Sequence, residues 1–310
     1  MLSVMLPRFG IKTTFVDPSN PENFSKSVEE NTKLFFTESL GNPKLDVVDI
    51  QEISKYSKQH NIPLMVDNTV ASPALLNPIK HGANIVIHSL TKYINGNGTS
   101  LGGVIIDAGT FDWSSGKFPE FTEPSPAYHG LVYNDALGSA SYIAKVRIEG
   151  LRDLGGSLSP YNAFQILQGL ETLDLRMKKH SENALQLAKW LESRDEVEWV
   201  NYPGLKSSKY FDLSKKYLPK GQSGLITFGV KGGYKNAKIV SDKTSLFSLL
   251  ANIGDTKSLI IHPASTTHQQ LSEEEQNSTG VTSGLIRLSV GIEDLDDLKE
   301  DLLNAFSFIK

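Results

Sequence analysis

Residue types able to do chemistry concentrate in one run, Val86-Ile87-His88-Ser89-Leu90-Thr91-Lys92-Tyr93. A hydrophobic stretch ends there on two hydroxyls at spacing i, i+2 and a lysine, and four glycines follow between positions 96 and 103. A lysine just past a buried strand is costly to desolvate unless it is neutral, paired or covalently bonded. The two hydroxyls beside it can donate to a phosphate. Taken alone, the run also reads as a glycine-rich turn with a surface lysine. Met65-Val66-Asp67-Asn68-Thr69 adds a carboxylate at the end of a second hydrophobic strand. An aspartate placed so can hold a protonated heteroaromatic nitrogen, or it can cap the next helix. Arg287 is the third candidate, flanked by Leu285, Ile286, Leu288 and Val290. An unpaired guanidinium among them would cost about 3–5 kcal/mol, so a carboxylate must face it, either a ligand's or that of a structural Asp or Glu.

The elements that must position these residues alternate. Strands are expected at Ile11–Val16, Thr32–Glu38, Pro63–Asp67, Asn84–Ser89 and Leu101–Asp107. Helices are expected at Pro21–Val28, at Asp46–Gln59 (Val47, Ile50, Ile53 and Tyr56 at helical spacing) and before His81-Gly82. Strands separated by single helices imply a mostly parallel sheet covered on both faces, and ligands gather at the carboxyl ends of such strands. That directs attention to Asn42, Asp67 and Ser89 onward. Residues 111–133 form an irregular, aromatic-rich segment, long enough to be a functional or interface lid. Helical runs are expected at 135–152 and 160–193, then strands at Val197–Asn201, Leu225–Val230 and Leu285–Ser289, with a closing helix at Asp294–Ile309. A domain boundary is placed near 160, dividing the chain into 1–160 and 161–310. Met1–Phe9 reads as the last turns of an amphipathic helix with no strand before it, so the chain is expected to begin inside a domain.

Composition narrows the classes. The 310 residues carry 31 Lys and Arg against 35 Asp and Glu, a net charge of −4 that is scattered rather than blocked. No basic face exists for nucleic acid. With 39% hydrophobic and 21% charged residues, the chain has enough apolar material for a folded core. There is no cysteine, which removes disulfides, thiolate metal sites and a cysteine nucleophile and suits a reducing compartment. No apolar run reaches membrane-spanning length and none forms a signal-peptide core, so the expectation is a cytoplasmic protein. The seven histidines show no metal-ligand spacing, and Glu273-Glu274-Glu275 reads as the solvated first turn of a helix capped by Ser272.

The combination of Asp67, Ser89-x-Thr91-Lys92 and the glycine-rich turn resembles the Cys/Met-metabolism family of pyridoxal phosphate (PLP) dependent enzymes. The resemblance covers essentially the whole chain. Its motifs are Glu38-Ser39-Leu40-Gly41-Asn42-Pro43, Val66-Asp67-Asn68-Thr69, His88-Ser89-Leu90-Thr91-Lys92-Tyr93, Arg152-Asp153-Leu154-Gly155, Gly169-Leu170-Glu171-Thr172-Leu173, His262-Pro263-Ala264-Ser265 and Ile286-Arg287-Leu288-Ser289-Val290-Gly291. It is most similar to the O-acetylhomoserine sulfhydrylase branch, through the 111–133 insertion, Ala251-Asn252-Ile253-Gly254-Asp255 and Ser265-Thr266-Thr267-His268-Gln269-Gln270-Leu271.

The resemblance implies an α/β fold of fold-type I: a mostly parallel sheet domain, N-terminally incomplete, and a smaller α/β C-terminal domain. It implies that Lys92 forms the internal aldimine with PLP and shuttles protons, and that Asp67 pairs with the pyridine nitrogen. Ser89 and Thr91 would bind the phosphate and Asn42 would approach the ring's 3′-oxygen. Arg287, helped by the loop at Asn252, would hold the substrate carboxylate. The implied reaction is γ-replacement on O-acetylhomoserine by sulfide or methanethiol, in a homotetramer built as a dimer of dimers. Cystathionine γ-synthase or γ-lyase is the alternative within the family, and a non-catalytic fragment the alternative from another class. Asn97 stands where the family often has His, and Val70 where it often has Phe. The family's N-terminal portion, which carries a phosphate-gripping Ser-Gly loop and a ring-stacking tyrosine, has no counterpart, so weak PLP binding and little activity are expected.

Overall fold

The computed structural model describes residues 1–278 and 280–309. Its first sheet has the order β1-β2-β3-β4, with β1 Phe35–Glu38, β2 Leu64–Asp67, β3 Ile85–Ser89 and β4 Gly103–Asp107. Helix α1 (Glu22–Lys26) precedes β1, α2 (Ile50–His60) joins β1 to β2, and α3 (Ser72–Leu75) lies between β2 and β3. The helical crossovers make β1, β2 and β3 parallel. No helix separates β3 from β4, so the glycine-rich turn returns the chain antiparallel. Helix α2 forms where apolar spacing and caps agree. Ile50 and Ile53 are buried, the Asp49 side chain accepts from the Glu52 N–H at 3.2 Å, and Asn61 closes the helix in the left-handed region.

Two N-terminal expectations are corrected. Residues 11–16 are not a strand. Their β-type composition meets no neighbouring strand, and Ile11 and Phe15 stay exposed. Met1–Phe9 contains only a 3₁₀ turn, Leu6–Phe9, with nothing buried. The sheet therefore starts at β1.

The 111–133 segment is irregular in backbone, with α4 (Pro119–Thr122) its only α-helix among the described residues. It is nonetheless packed. Trp113, Phe118, Phe121 and Tyr133 build a satellite core on Ile85, and Trp113 stacks on Tyr142 at 5.0 Å. The expected helix 135–152 is broken into α5 (Tyr133–Leu137), α6 (Ser141–Lys145) and a π-helical stretch, Val146–Asp153, with a left-handed turn at Gly138 (φ 53°). The run from 160 to 193 is likewise two helices, α7 (Pro160–Glu171) and α8 (Leu173–Glu192). The break falls where the Gly169 carbonyl accepts from the Thr172 hydroxyl (3.3 Å) and the Arg176 guanidinium (2.6 Å). Such side-chain bonds compete with the helical ladder.

The second sheet has the order β5-β6-β9-β8-β7, from β5 Val197–Asn201, β6 Leu225–Val230, β7 Ser248–Leu249, β8 Leu259–Ile261 and β9 Leu285–Ser289. Helix α9 (Phe211–Tyr217) links β5 to β6, α10 (Gly233–Lys243) follows β6, α11 (Glu273–Ser278) precedes β9, and α12 (Leu295–Phe306) closes the chain. All of β6 is buried, because α8 and α12 cover the sheet with Leu187, Leu191, Leu302 and Phe306. Ser272 caps α11 reciprocally with Glu275, at 3.2 and 2.9 Å. The short strands β7 and β8 carry too little pattern to be read from sequence.

Candidate active site

The parallel strands stop level with one another, Glu38 beside Asp67 and Asp67 beside Ile87, so the turns after them share one edge. Asp67 does not cap a helix, since α3 begins five residues on after Ala71. Its Oδ1 instead accepts from the Thr69 N–H at 2.9 Å, and Thr69 Oγ1 accepts from the Ser89 N–H at 2.8 Å. One short chain of hydrogen bonds thus ties the end of β2 to the end of β3. The second Asp67 oxygen has no hydrogen-bond partner among the described residues. Thr69 joins the candidate site residues on this geometry; its signal in the sequence is a hydroxyl two positions after Asp67. Buried Asn68 locks the same turn, accepting from Ser39 (2.7 Å) and donating to Leu76 O (2.8 Å).

Beyond β3, the Thr91 hydroxyl donates to Gly102 O at 3.2 Å and accepts from its N–H at 3.1 Å. In this arrangement Thr91 pins the glycine-rich turn, while the Ser89 hydroxyl makes no bond among the described residues. The Lys92 ammonium donates to Asn252 Oδ1 at 2.5 Å. Burial lowers its pKa below the ordinary lysine range, and the nearby Arg287 charge adds to the shift.

Arg287 lies on the face of β9 opposite buried Ile286 and Leu288. Its Nη1 donates to Asn42 Oδ1 and its Nη2 to Asn252 O, both at 3.0 Å. Its Nε is buried with no partner among the described residues. Among the described residues no carboxylate pairs with it, which answers the question left open by its flanking residues. Burial lowers its pKa to about 10. Asn42 is held in place by its own N–H, which donates to Glu38 Oε2 at 3.1 Å. Loss of water around Glu38 raises that carboxyl's pKa, with the Asn42 N–H opposing and Asp67 adding to the rise. Asn42, Lys92, Asn252 and Arg287 therefore form one connected group, with Asp67 and Ser89 along the same sheet edge.

This is an amine beside a desolvated cation, with a carboxylate at the adjoining strand end, on an α/β scaffold. Such a set serves a carbonyl-bearing cofactor and an anionic substrate. The family profile of Cys/Met metabolism PLP-dependent enzymes matches residues 1–307. The chain is 54% identical to the O-acetyl-L-homoserine sulfhydrylase of Leptospira meyeri, covering 100% of this chain and 72% of that protein. It is 48% identical to the homocysteine synthase of Schizosaccharomyces pombe, covering 98% and 72%. A crystal structure of a Campylobacter jejuni protein assigned as an O-acetylhomoserine (thiol)-lyase superposes with a TM-score of 0.94 at 47% identity, covering 98% of this chain and 73% of that one. That crystal structure carries N′-pyridoxyl-lysine-5′-monophosphate. The chain belongs to the Cys/Met metabolism PLP-dependent enzyme family, and its fold is the α/β fold of fold-type I.

The residues present fit PLP. Among the described residues the Lys92 amine and Arg287 have only neutral hydrogen-bond partners, Arg287 Nε is orphaned, and one Asp67 oxygen is open.

Proposed function

We propose that this enzyme carries out γ-replacement on O-acetyl-L-homoserine, with sulfide or methanethiol displacing acetate from Cγ to give homocysteine or methionine. The observation that carries the reading is Asn252, which receives the Lys92 amine on its side chain and the Arg287 guanidinium on its backbone carbonyl. One residue thereby sets the spacing between an amine and an anion receptor, which an α-amino acid spans. The names of the similar proteins supply the substrate class.

In this reading Lys92 binds the cofactor's aldehyde carbon, Asp67 keeps the ring nitrogen protonated, and Ser89 and Thr91 face the phosphate. Thr91 must then share or give up its bond to Gly102. Asn42 lies at the cofactor's oxygen side. Bound PLP supplies an electron sink that makes the substrate's Cα and Cβ protons removable. Lys92 would take those protons and return them. Its depressed pKa keeps a larger fraction of the amine free to act as a base near neutral pH. Arg287 holds the carboxylate and so fixes which face of Cα meets Lys92.

The reading places residues 1–160 in the large domain and 161–310 in the smaller one, with α7 and α8 bridging them. It also makes the assembly a homotetramer acting in the cytoplasm within methionine biosynthesis. The test is borohydride reduction of the PLP-loaded protein with peptide mapping, alongside acetate release from O-acetylhomoserine. Label on Lys92 is expected, and whatever turnover this chain shows should be faster with sulfide than with cysteine. Label on another lysine overturns the site, and a preference for cysteine moves the reaction to cystathionine synthesis.

A further inference from the structure

Helix α8 carries three buried polar residues on one face, Arg176, His180 and Asn183. Arg176 is buried without a carboxylate partner among the described residues and spends its guanidinium on neutral oxygens. Nη1 donates to Tyr93 O at 2.7 Å, and Nη2 to Ile94 O at 3.2 Å and Gly169 O at 2.6 Å. Nε donates to Thr172 Oγ1 at 3.0 Å. Two of these acceptors are the carbonyls directly after Lys92. One turn on, His180 Nδ1 donates to Val290 O at 2.7 Å and the His180 ring meets the Tyr93 ring edge-on at 5.2 Å. Asn183 donates to Gly291 O (3.1 Å) and Glu293 O (2.9 Å). The stripe thus grips the turn that carries Lys92 at one end and the exit of the Arg287 strand at the other.

The contact is too close for side chains. A Cβ on Gly96 would lie 2.3 Å from Arg176 Nη1, and one on Gly169 would lie 2.1 Å from Asn95 O. Gly254, at φ +75°, would meet Tyr93 N at 2.6 Å. Glycines on three separate segments therefore let the backbone close around the Lys92 turn.

We propose that Arg176 is a positioning residue, which holds the turn after Lys92 so that its amine stays a fixed distance from Arg287. A guanidinium suits the task because its planar fork can meet several carbonyls at once. The proposal deepens the assignment of Lys92 and rests on it. The charged group facing the Lys92 amine is Arg287 on β9. On the other side of the turn, Arg176 has His180 nearby, which also feels Asp255.

The test measures Lys92 itself. Competitive acetylation across a pH series, on protein freed of PLP, gives the Lys92 titration midpoint. In wild type it should lie below the ordinary lysine range. Arg176→Met should move the Lys92 midpoint up toward that range, as the amine swings into water. It should also cut kcat of the loaded enzyme about a hundredfold, the cost of a roughly 1 Å misplacement, with KM changed less than about threefold. Arg176→Lys should recover part of both. A soluble Arg176→Met with wild-type midpoint and kcat overturns the proposal. If Arg176→Met does not fold, Thr172→Val, which removes the Nε anchor, decides: a smaller upward shift supports the proposal and an unchanged midpoint overturns it. Labelling needs neither cofactor nor turnover, so absent activity counts against the reaction and not against Arg176.

Discussion

Arg287 shows how a side chain's partners reveal its task. A cation on a strand between buried leucine and isoleucine is stable only if something offsets its lost hydration, and here that something is two amide oxygens and no acid. In the proposed function a substrate carboxylate would supply the missing counter-charge, and binding free energy would come from that pairing. Arg287→Ala should therefore reduce kcat/KM for O-acetylhomoserine by a little over a hundredfold, about 3 kcal/mol for one charge-assisted pair. PLP absorbance should change little, because the Lys92 amine has its own anchor on Asn252. Equal loss of cofactor absorbance and of substrate affinity would place Arg287 on the phosphate instead. Asn252, expected beside Arg287, also contacts Lys92, 160 positions away.

At the scale of elements, α8 joins the two sheets through polar atoms inside a mostly apolar packing, and this leaves a pH signature. His180 is fully buried and donates through Nδ1, while its Nε2 has no partner among the described residues. Burial lowers its pKa from 6.5 to about 4. A histidine with a depressed folded-state pKa contributes its full stability above the unfolded value, and that contribution is lost as pH falls through the folded one. Unfolding free energy should thus drop by roughly 3 kcal/mol between pH 6.5 and 4 on account of His180 alone. Buried His88 and His262 are also lowered by desolvation, so the informative measurement is a difference. Urea denaturation of wild type and His180→Gln across this range should give a shallower slope for the variant; parallel slopes would mean His180 is not the group titrating.

Over the whole molecule, the feature that calls for a partner is an apolar stripe on α7. Tyr161, Phe164, Leu167 and Leu170 recur every third residue and are 67%, 59%, 58% and 44% exposed, with Leu154 at 87% nearby. Isolated exposed apolar residues are ordinary, whereas a contiguous row of this size marks an interaction surface. A second copy of the chain is the occupant consistent with the proposed tetramer. Light scattering should show Phe164→Glu combined with Leu167→Asp as a smaller species than wild type; an unchanged mass would put the assembly contact elsewhere. The same helix touches the Lys92 turn through Gly169 and Asn95, so the exposed apolar row and the Lys92 turn share an element.

Much of this was legible one residue at a time. Leu64–Asp67, Ile85–Ser89, Leu225–Val230 and Leu285–Ser289 are short apolar runs ended by polar residues, and local pattern is enough to define them. The family was legible too, because Asp67 and Ser89-x-Thr91-Lys92 are compact motifs whose spacing survives in one chain. Ile11–Val16 misled because a strand needs a hydrogen-bonding neighbour as well as β-type composition. The helix break at Thr172 depends on Arg176 reaching back to Gly169, and the commitment of Thr91 to Gly102 depends on how the glycine turn folds over. What the amino-acid order determined by itself was the strongly patterned strands and helices and the reactive residues on them, since both follow from interactions between near neighbours. The partnership of Asn42, Lys92, Asn252 and Arg287 was decided only by the tertiary structure, because it joins distant segments whose approach is set by packing between two sheets and by glycines that let backbones touch.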